Sequence, residues 1–244
     1  MNLNDYLSVL DTERFGFKIA KVNSFISEPK TIIAFLKEQG VKLILSKVST
    51  EDITLINQLE YLGFEMKDIQ VTYQYLLGKQ ALKPLHNHTW QIDAVEKKDI
   101  ATLQSIALES FKGYGHYANN TLLDQQKCNE IYGDWILRSC ENSQVADIVL
   151  VAKDADTVAG FLSFKIYETG KQKYAAGGIG AVASSYRGKQ VFAALIHAGL
   201  QWGQKNDLDW EEHNVLINNY PVNQSFVKAG FGISKSFITL HHWI

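Results

Sequence analysis

Short apolar strands alternate with amphipathic helices along most of the 244-residue chain, and this alternation restricts the fold more than any other feature. After residue 90 the pattern predicts strands at 90–95, 148–153, 158–167, 174–183, 213–217 and 233–243 and helices at 99–111, 122–138, 189–205 and 222–228. The polar turn at 154–156 is typical of a hairpin. The order β-α-α-β-β-β-α-β-α-β predicts an α/β fold of the α+β kind, with a mixed sheet.

The chain before residue 83 has the pattern of a smaller α/β unit. A helix that ends at Gly40, a strand at 42–48, a helix at 53–62 and an alternating strand at 69–75 are predicted there. Pro84 lies in the linker-like stretch 78–88, so we expect domains over residues 1–83 and 90–244. The helix-glycine-strand pattern at Gly63 is repeated at Gly230, which fits either a degenerate internal repeat or an ordinary α/β unit.

Composition limits the kinds of partner. The chain has 24 basic and 26 acidic residues, a net charge of -2, so no overall field attracts nucleic acid or an anionic membrane. No apolar window is long enough for a membrane span and no signal segment precedes the first strand, which predicts a cytoplasmic protein. No metal is expected, because the two cysteines lack zinc spacing and the pairs His86/His88 and His241/His242 lack a third ligand.

The most informative segment is residues 180–195, where an apolar strand turns through a basic loop into an amphipathic helix. The first turn of a helix carries unpaired N–H groups and a partial positive charge, and Arg187 and Lys189 would add to it. The segment is therefore a candidate phosphate site. An ordinary capped helix that packs on the core is the alternative.

The run at residues 186–192 resembles the acetyl-coenzyme A loop of the GCN5-related N-acetyltransferases (GNAT), whose signature is Q/R-x-x-G-x-G/A. A second feature of that family, an Asn followed by an aromatic residue and then Gly-Phe, is present as Asn219, Phe226 and Gly230-Phe231. The resemblance covers residues 90–244. Within the family, residues 110–117, the small N-terminal domain and residues 239–243 are most similar to the dTDP-fucosamine acetyltransferase-like branch, which acetylates a nucleotide-linked amino sugar and often forms homodimers.

The resemblance implies a GNAT acyl-CoA N-acyltransferase fold, acetyl-CoA as co-substrate and a small-molecule amine as acceptor. The loop and the start of its helix would hold the pyrophosphate, namely Arg187, Gly188, Lys189, Gln190, Val191 and Phe192. The backbone of Gly180, Ala181 and Val182 would pair with the pantetheine arm where the fourth and fifth strands splay. Asn219 and Phe226 would complete the cofactor site.

The chain departs from the family pattern at three positions. Gln190 replaces a glycine, Phe192 replaces a glycine or alanine, and Phe226 stands where many members have the tyrosine that is proposed to protonate the leaving thiolate. These changes leave two readings open: a slow N-acetyltransferase, or a degenerate GNAT fold that binds acyl-CoA or a nucleotide as a non-catalytic sensor or partner module. A third reading, an interaction protein whose loop binds nothing, would require the basic turn at 187–189 to be incidental.

The candidate catalytic residues lie on two loops. His116 and Tyr117 follow the first helix of the larger domain, where this fold usually meets its acceptor, and His116 is the candidate base because histidine titrates near neutral pH. Tyr220, Ser225 and water are candidate replacements for the missing acid. Glu211 and Glu212 are alternative bases, although with Asp207 and Asp209 they have the pattern of a solvated turn.

Overall fold

The computed structural model describes residues 1–79, 82 and 90–244, which form two compact units. The first unit comprises Met1–Val71, Gly113–Cys128 and Lys235–Ile244, and the second comprises Thr72–Lys112 and Asn129–Ser234. The boundary predicted at Pro84 lies outside the described residues, as do His86 and His88. The division into domains 1–83 and 90–244 stays a prediction.

Helices and strands follow one another through both units. In chain order the helices are α1 (Val9–Phe15), α2 (Pro29–Glu38), α3 (Ile53–Tyr61), α4 (Ile100–Ser110), α5 (Gly115–Ala118), α6 (Gln125–Glu141), α7 (Val191–Lys205) and α8 (Tyr220–Ala229). The strands are β1 (Ile19–Lys21), β2 (Leu43–Ser49), β3 (Glu65–Leu76), β4 (Gln91–Ala94), β5 (Ile148–Asp154), β6 (Thr157–Thr169), β7 (Gln172–Val182), β8 (Trp210–Leu216) and β9 (Gly232–Trp243).

In the first unit the strand order is β1-β2-β9-β3. β1 runs parallel to β2, whereas β2 and β9 are antiparallel from Leu43↔Trp243 to Ser49↔Phe237. Helix α2 begins at a proline, where a missing N–H costs nothing, and its apolar face packs on the sheet. The core of this unit includes Ile32, Leu36, Ile44, Leu59 and Leu240, all of them almost completely buried.

In the second unit the strand order is β3-β8-β7-β6-β5-β4. The strands from β4 to β7 are antiparallel, whereas β7 and β8 are parallel because α7 connects them. Leu103 and Ile106 of α4 pack against Val149, Phe161 and Ile179 of the sheet. The predicted α/β fold with a mixed sheet is confirmed.

The predicted helices and strands of residues 90–244 all form, most within three residues of the expected bounds. The elements that the pattern missed are short: α1, β1 and α5 have seven, three and four residues. Periodicity gives little signal over so few positions.

Candidate functional site

β7 contains one extra residue opposite β6. The pairing shifts from Phe164↔Gly177 to Leu162↔Gly180, so two residues of β7 oppose Ser163 alone. The buried Ser163 hydroxyl accepts a hydrogen bond from Ile179 N–H at 2.9 Å and donates one to the Ile179 carbonyl at 3.2 Å. Ser163 thereby stabilises a bulge in the middle of the sheet.

Two glycines are required at this bulge for reasons of space. A β-carbon on Gly178 would lie 2.5 Å from Ser163 Oγ, and one on Gly177 would overlap the ring of His213. The glycine pair therefore lets a strand, a hydroxyl and an imidazole approach one another closely.

The pairing between β7 and β8 ends where the bulge begins. Their parallel register comprises four Cα pairs, from Tyr174↔Trp210 to Gly177↔His213, and in the described residues of both strands it goes no further. Gly180, Ala181 and Val182 pair with β6 on their other side. The edge of β7 beyond Gly177 therefore has peptide groups that an extended ligand can reach, as in the addition of a strand to a sheet.

The loop after β7 presents backbone amides at the start of α7. Gly188 and Gln190 both have left-handed backbone conformations, with φ of 77° and 62°. Ala194 N–H donates to the Gln190 carbonyl at 3.0 Å, so the amides of Val191, Phe192 and Ala193 precede the first intrahelical hydrogen bond. These amides and the positive end of the helix dipole favour an anion here.

Two cations flank that helix end, and contacts from neighbouring segments hold them there. The exposed Arg187 reaches the Val182 carbonyl with Nε at 3.4 Å and Ser110 Oγ with Nη2 at 3.3 Å. The Lys189 ammonium lies 4.9 Å from the centre of the Tyr186 ring, and its carbonyl accepts a hydrogen bond from the Trp90 indole at 3.1 Å. The loop is therefore both positively charged and anchored.

Phe226 is at the centre of an aromatic cluster and is only 1% exposed. Its ring centre lies 4.4 Å from that of His213, 5.5 Å from that of Tyr73 and 5.8 Å from that of Phe192. Phe192 thus turns towards the core, and the Gln190 side chain before it is exposed and caps no backbone amide. Burial raises the pKa of the Tyr73 phenol above its usual value.

Asn219 and Tyr220 begin α8. The Asn219 carbonyl accepts hydrogen bonds from the Asn223 backbone N–H at 3.0 Å and from Asn223 Nδ2 at 2.8 Å. Asn223 Nδ2 also donates to the Leu216 carbonyl at the end of β8. Tyr220 is 67% exposed, whereas Phe226 on the same helix is buried.

Glu211 is fully buried beside His213, and the prediction of a solvated turn at this residue is wrong. Glu211 Oε1 lies 2.7 Å from His213 Nε2, and its Oε2 has no hydrogen-bond partner among the residues that the structure describes. Burial raises the pKa of Glu211 despite the hydrogen bond from His213. The alternation of Glu211, His213 and Val215 was the available sequence signal for burial of this face of β8. The charged residues around it are typical of an exposed turn and led to the wrong prediction.

The remaining two predicted catalytic residues, His116 and Tyr117, lie on α5 in the first unit. His116 Nδ1 is 2.8 Å from His241 Nε2, and His241 Nδ1 is 2.8 Å from Asn120 Nδ2. Burial lowers the pKa of His116 to about 4 and that of His241 to about 2. Tyr117 stacks on Phe15 at 5.9 Å and hydrogen-bonds the Asp11 carboxylate, so packing and a buried partner account for it.

The structure therefore groups the predicted cofactor residues. They lie on the end of β7, the loop, the first turn of α7 and the first two turns of α8, all within the second unit. Tyr220 is in the same unit, whereas His116 and Tyr117 are in the first. Ser163, Gly177, Gly178 and His213 are among the residues that sequence reasoning missed. The paired glycines inside a predicted strand and the alternation of His213 with Val215 were the signals for them.

A family model described as the acetyltransferase (GNAT) family matches residues 109–231, about half of the chain. No curated protein is detectably similar in sequence. No helix in the described ranges is long and apolar enough to cross a membrane, and the same residues contain no group of three or more side chains suited to a metal ion.

Several solved structures are similar in fold. A tandem GNAT protein from the clavulanic acid biosynthesis pathway has a TM-score of 0.66 at 12% identity, over 92% of this chain and 75% of that one. A functionally unknown conserved protein from Staphylococcus epidermidis gives 0.58 at 13% identity, over 93% and 84%. The glucosamine N-acetyltransferase region of a fungal multi-domain β-N-acetylglucosaminidase gives 0.62 at 11%, over 97% of this chain but 30% of that one. At these identities the likeness establishes the fold.

Proposed function

The chain belongs to the acetyltransferase (GNAT) family, and from that membership we propose that it transfers the acetyl group of acetyl-CoA to the amine of a small polar acceptor. The separation of β7 from β8 beyond Gly177↔His213, next to the amides that begin α7, carries the proposal. In this reaction the acceptor ammonium first loses a proton to water, and the neutral amine attacks the thioester carbonyl. A C–N bond forms, the C–S bond breaks, the nitrogen loses its second proton, and the thiolate takes one up.

The residues present fit acetyl-CoA. The amides of Val191, Phe192 and Ala193, with Arg187 and Lys189 beside them, are suited to the pyrophosphate. Gly180, Ala181 and Val182 have one backbone edge directed away from β6, along which the pantetheine amides can pair as a short strand. Asn219 is the candidate polar contact from α8.

Phe226 cannot protonate the leaving thiolate, and we assign that task to Tyr73. The Tyr73 ring stacks on Phe226, and a phenol with its ordinary pKa of about 10 holds the proton that an acid must donate at neutral pH. Ser225, by contrast, donates its hydroxyl to the Pro221 carbonyl at 2.8 Å, and Tyr220 is largely exposed.

We propose an amino sugar, free or nucleotide-linked, as the acceptor. The support is the resemblance of residues 110–117 and 239–243 to the dTDP-fucosamine branch, and one structural relative is named as a glucosamine N-acetyltransferase. D-Glucosamine is therefore the first acceptor to test.

A calorimetric titration with acetyl-CoA tests the cofactor site. We expect micromolar binding by the wild type and a loss of at least about tenfold in Arg187→Glu, because the substitution reverses a charge that faces the pyrophosphate. Lys171→Glu is the matched control, since Lys171 is an exposed cation in the turn before β7, at the other end of that strand. Equal binding by all three proteins would contradict the proposed site.

A non-catalytic acyl-CoA sensor is the second candidate function. Gln190, in a backbone conformation that glycine adopts more easily, and Phe226, without a hydroxyl, favour it. Cofactor binding without transfer to any amine would support the sensor over the enzyme.

A further inference from the structure

The first unit contains a buried carboxylate that no protein group satisfies. Asp68 of β3 is 8% exposed, and neither of its oxygens has a hydrogen-bond partner among the described residues. The neighbouring cation, Lys67, pairs with Glu65 at 2.7 Å instead. Burying such a group without a partner is costly, so an orphan of this kind calls for an explanation.

Asp11, a second buried aspartate in the same unit, shows the usual solution. It is 1% exposed and bonds Lys21 at 2.7 Å and the Ser8 hydroxyl at 2.6 Å. It also accepts a hydrogen bond from Tyr117. The first unit therefore provides hydrogen-bond and ionic partners for the buried carboxylate of Asp11, and it provides no hydrogen-bond partner for that of Asp68 among the described residues.

Hydrogen bonds join the segment of His116 to β3, the strand of Asp68, and to β9 beside it. Asn119, which ends α5, donates from Nδ2 to the Lys67 carbonyl at 2.7 Å, one residue from Asp68. His116 itself bonds His241 of β9, the strand next to β3. After burial, the Asp68 charge has the largest influence on the pKa of His116 and acts to raise it.

Hydrogen bonds fix which nitrogen of His116 carries the proton. The Trp243 indole and the Leu122 backbone N–H can only donate, and both donate to Asn120 Oδ1, at 3.3 Å each. Asn120 Nδ2 must then donate to His241 Nδ1, so neutral His241 carries its proton on Nε2 and donates it to His116 Nδ1. Neutral His116 therefore has its own proton on Nε2 and is a hydrogen-bond donor there.

We infer that Asp68 and His116 form the acceptor-binding site, in which the Asp68 carboxylate binds the ammonium group of an amino alcohol or amino sugar and His116 Nε2–H donates to a neighbouring oxygen of the same molecule. The inference rests on the proposed function, and it gives His116 a binding role in place of the predicted role of base. It names the feature that the acceptor must have: a primary amine next to a hydroxyl or ether oxygen.

Paired ligands test the inference. D-Glucosamine and D-glucose differ only in an ammonium in place of a hydroxyl, and each is titrated into the wild type and into Asp68→Asn. We expect the wild type to bind D-glucosamine at least about tenfold more tightly than D-glucose, and Asp68→Asn to lose that preference, because an ionic hydrogen bond is removed. Equal binding of the two sugars by the wild type, or an unchanged preference in the variant, would overturn the inference.

Two further comparisons separate this result from misfolding and from failure of the cofactor site. Asp68→Asn is expected to bind acetyl-CoA like the wild type and to melt at the same or a higher temperature, because it removes an unpartnered charge and breaks no existing bond. Asp11→Asn, which breaks existing bonds, should melt at a lower temperature. At the histidine, Gln keeps an N–H near the position of Nε2, so His116→Gln should retain D-glucosamine binding and His116→Phe should weaken it by about threefold to tenfold. Loss of binding in both histidine variants would contradict the donor role.

Discussion

His116 and His241 are held neutral by their surroundings, and this has a consequence for stability. In the folded chain burial lowers the pKa of His116 from 6.5 to about 4. Asp68 and Asp11 raise this pKa, whereas Lys21 and Lys47 lower it. Burial also lowers the pKa of His241, with further lowering by His116 and Lys67 and an opposing effect of Asp11.

The unfolded state takes up protons near pH 6.5, and the folded state does so only at lower pH. Between these values the unfolded state binds more protons, so the free energy of unfolding should fall as the pH decreases from 6.5 to 4, by up to about 1.4 kcal/mol per pH unit for each histidine. Urea denaturation at pH 7, 6 and 5 measures this. The double variant His116→Gln/His241→Gln should give a flatter dependence, and equal slopes would show that the pair is not held neutral.

At the scale of elements, the turn into α7 is the place where one substitution should improve the site. Gln190 has a φ of 62°, a conformation that costs a residue with a β-carbon roughly 1–2 kcal/mol and glycine very little. Glycine loses more backbone entropy on folding, about 0.5–1 kcal/mol, so Gln190→Gly should leave the free energy of unfolding unchanged or raise it by up to about 1.5 kcal/mol.

The same variant should bind acetyl-CoA more tightly by roughly threefold to tenfold, because glycine lets the pyrophosphate approach the backbone. Calorimetry measures the gain, with Gln190→Ala as a control that keeps the β-carbon and hence the strain. Weaker binding by Gln190→Gly would show instead that the Gln190 amide contacts the cofactor.

Elements were predictable from sequence where local pattern determines them. The strand, loop and helix at 180–195 can be predicted from the residues of that segment alone. The same holds for the helix ends at Gly40 and Gly230, which both have positive φ. Gly177 and Gly178 suggest a bulge, but its position opposite Ser163 was not predictable. That position depends on the register between β6 and β7, which no local pattern determines. Glu211 was misread because its burial depends on β8 lying between β3 and β7.

Contacts over long sequence separations were also beyond sequence reasoning. The hydrogen bond between His116 and His241 joins residues 125 apart in the sequence. It determines the tautomer of His116, which carries its proton on Nε2 and is a hydrogen-bond donor there. Asp68 lies in β3, but the alternating pattern predicts that strand only from residue 69. The sequence therefore gave no indication that Asp68 is buried. The burial of Asp68 and the hydrogen bond of His116 both depend on the order of strands in the sheet, which local periodicity does not determine.

For the whole molecule, the proposals assign different chemical tasks to the two units. The second unit supplies the groups suited to acetyl-CoA: the edge of β7, the amides of α7, and the phenol of Tyr73. The first unit supplies Asp68 and His116, which suit a cationic acceptor that also has a hydroxyl.

The most direct test is to incubate the protein with acetyl-CoA and D-glucosamine and to detect N-acetylglucosamine by mass spectrometry, with Arg187→Glu and Asp68→Asn in parallel. We predict product with the wild type and a reduced yield with each variant, Arg187→Glu through weaker binding of acetyl-CoA and Asp68→Asn through weaker binding of the amine. Binding of acetyl-CoA by the wild type with no N-acetylated product, from D-glucosamine or from a wider panel of amino sugars, would contradict the account and identify the chain as a sensor.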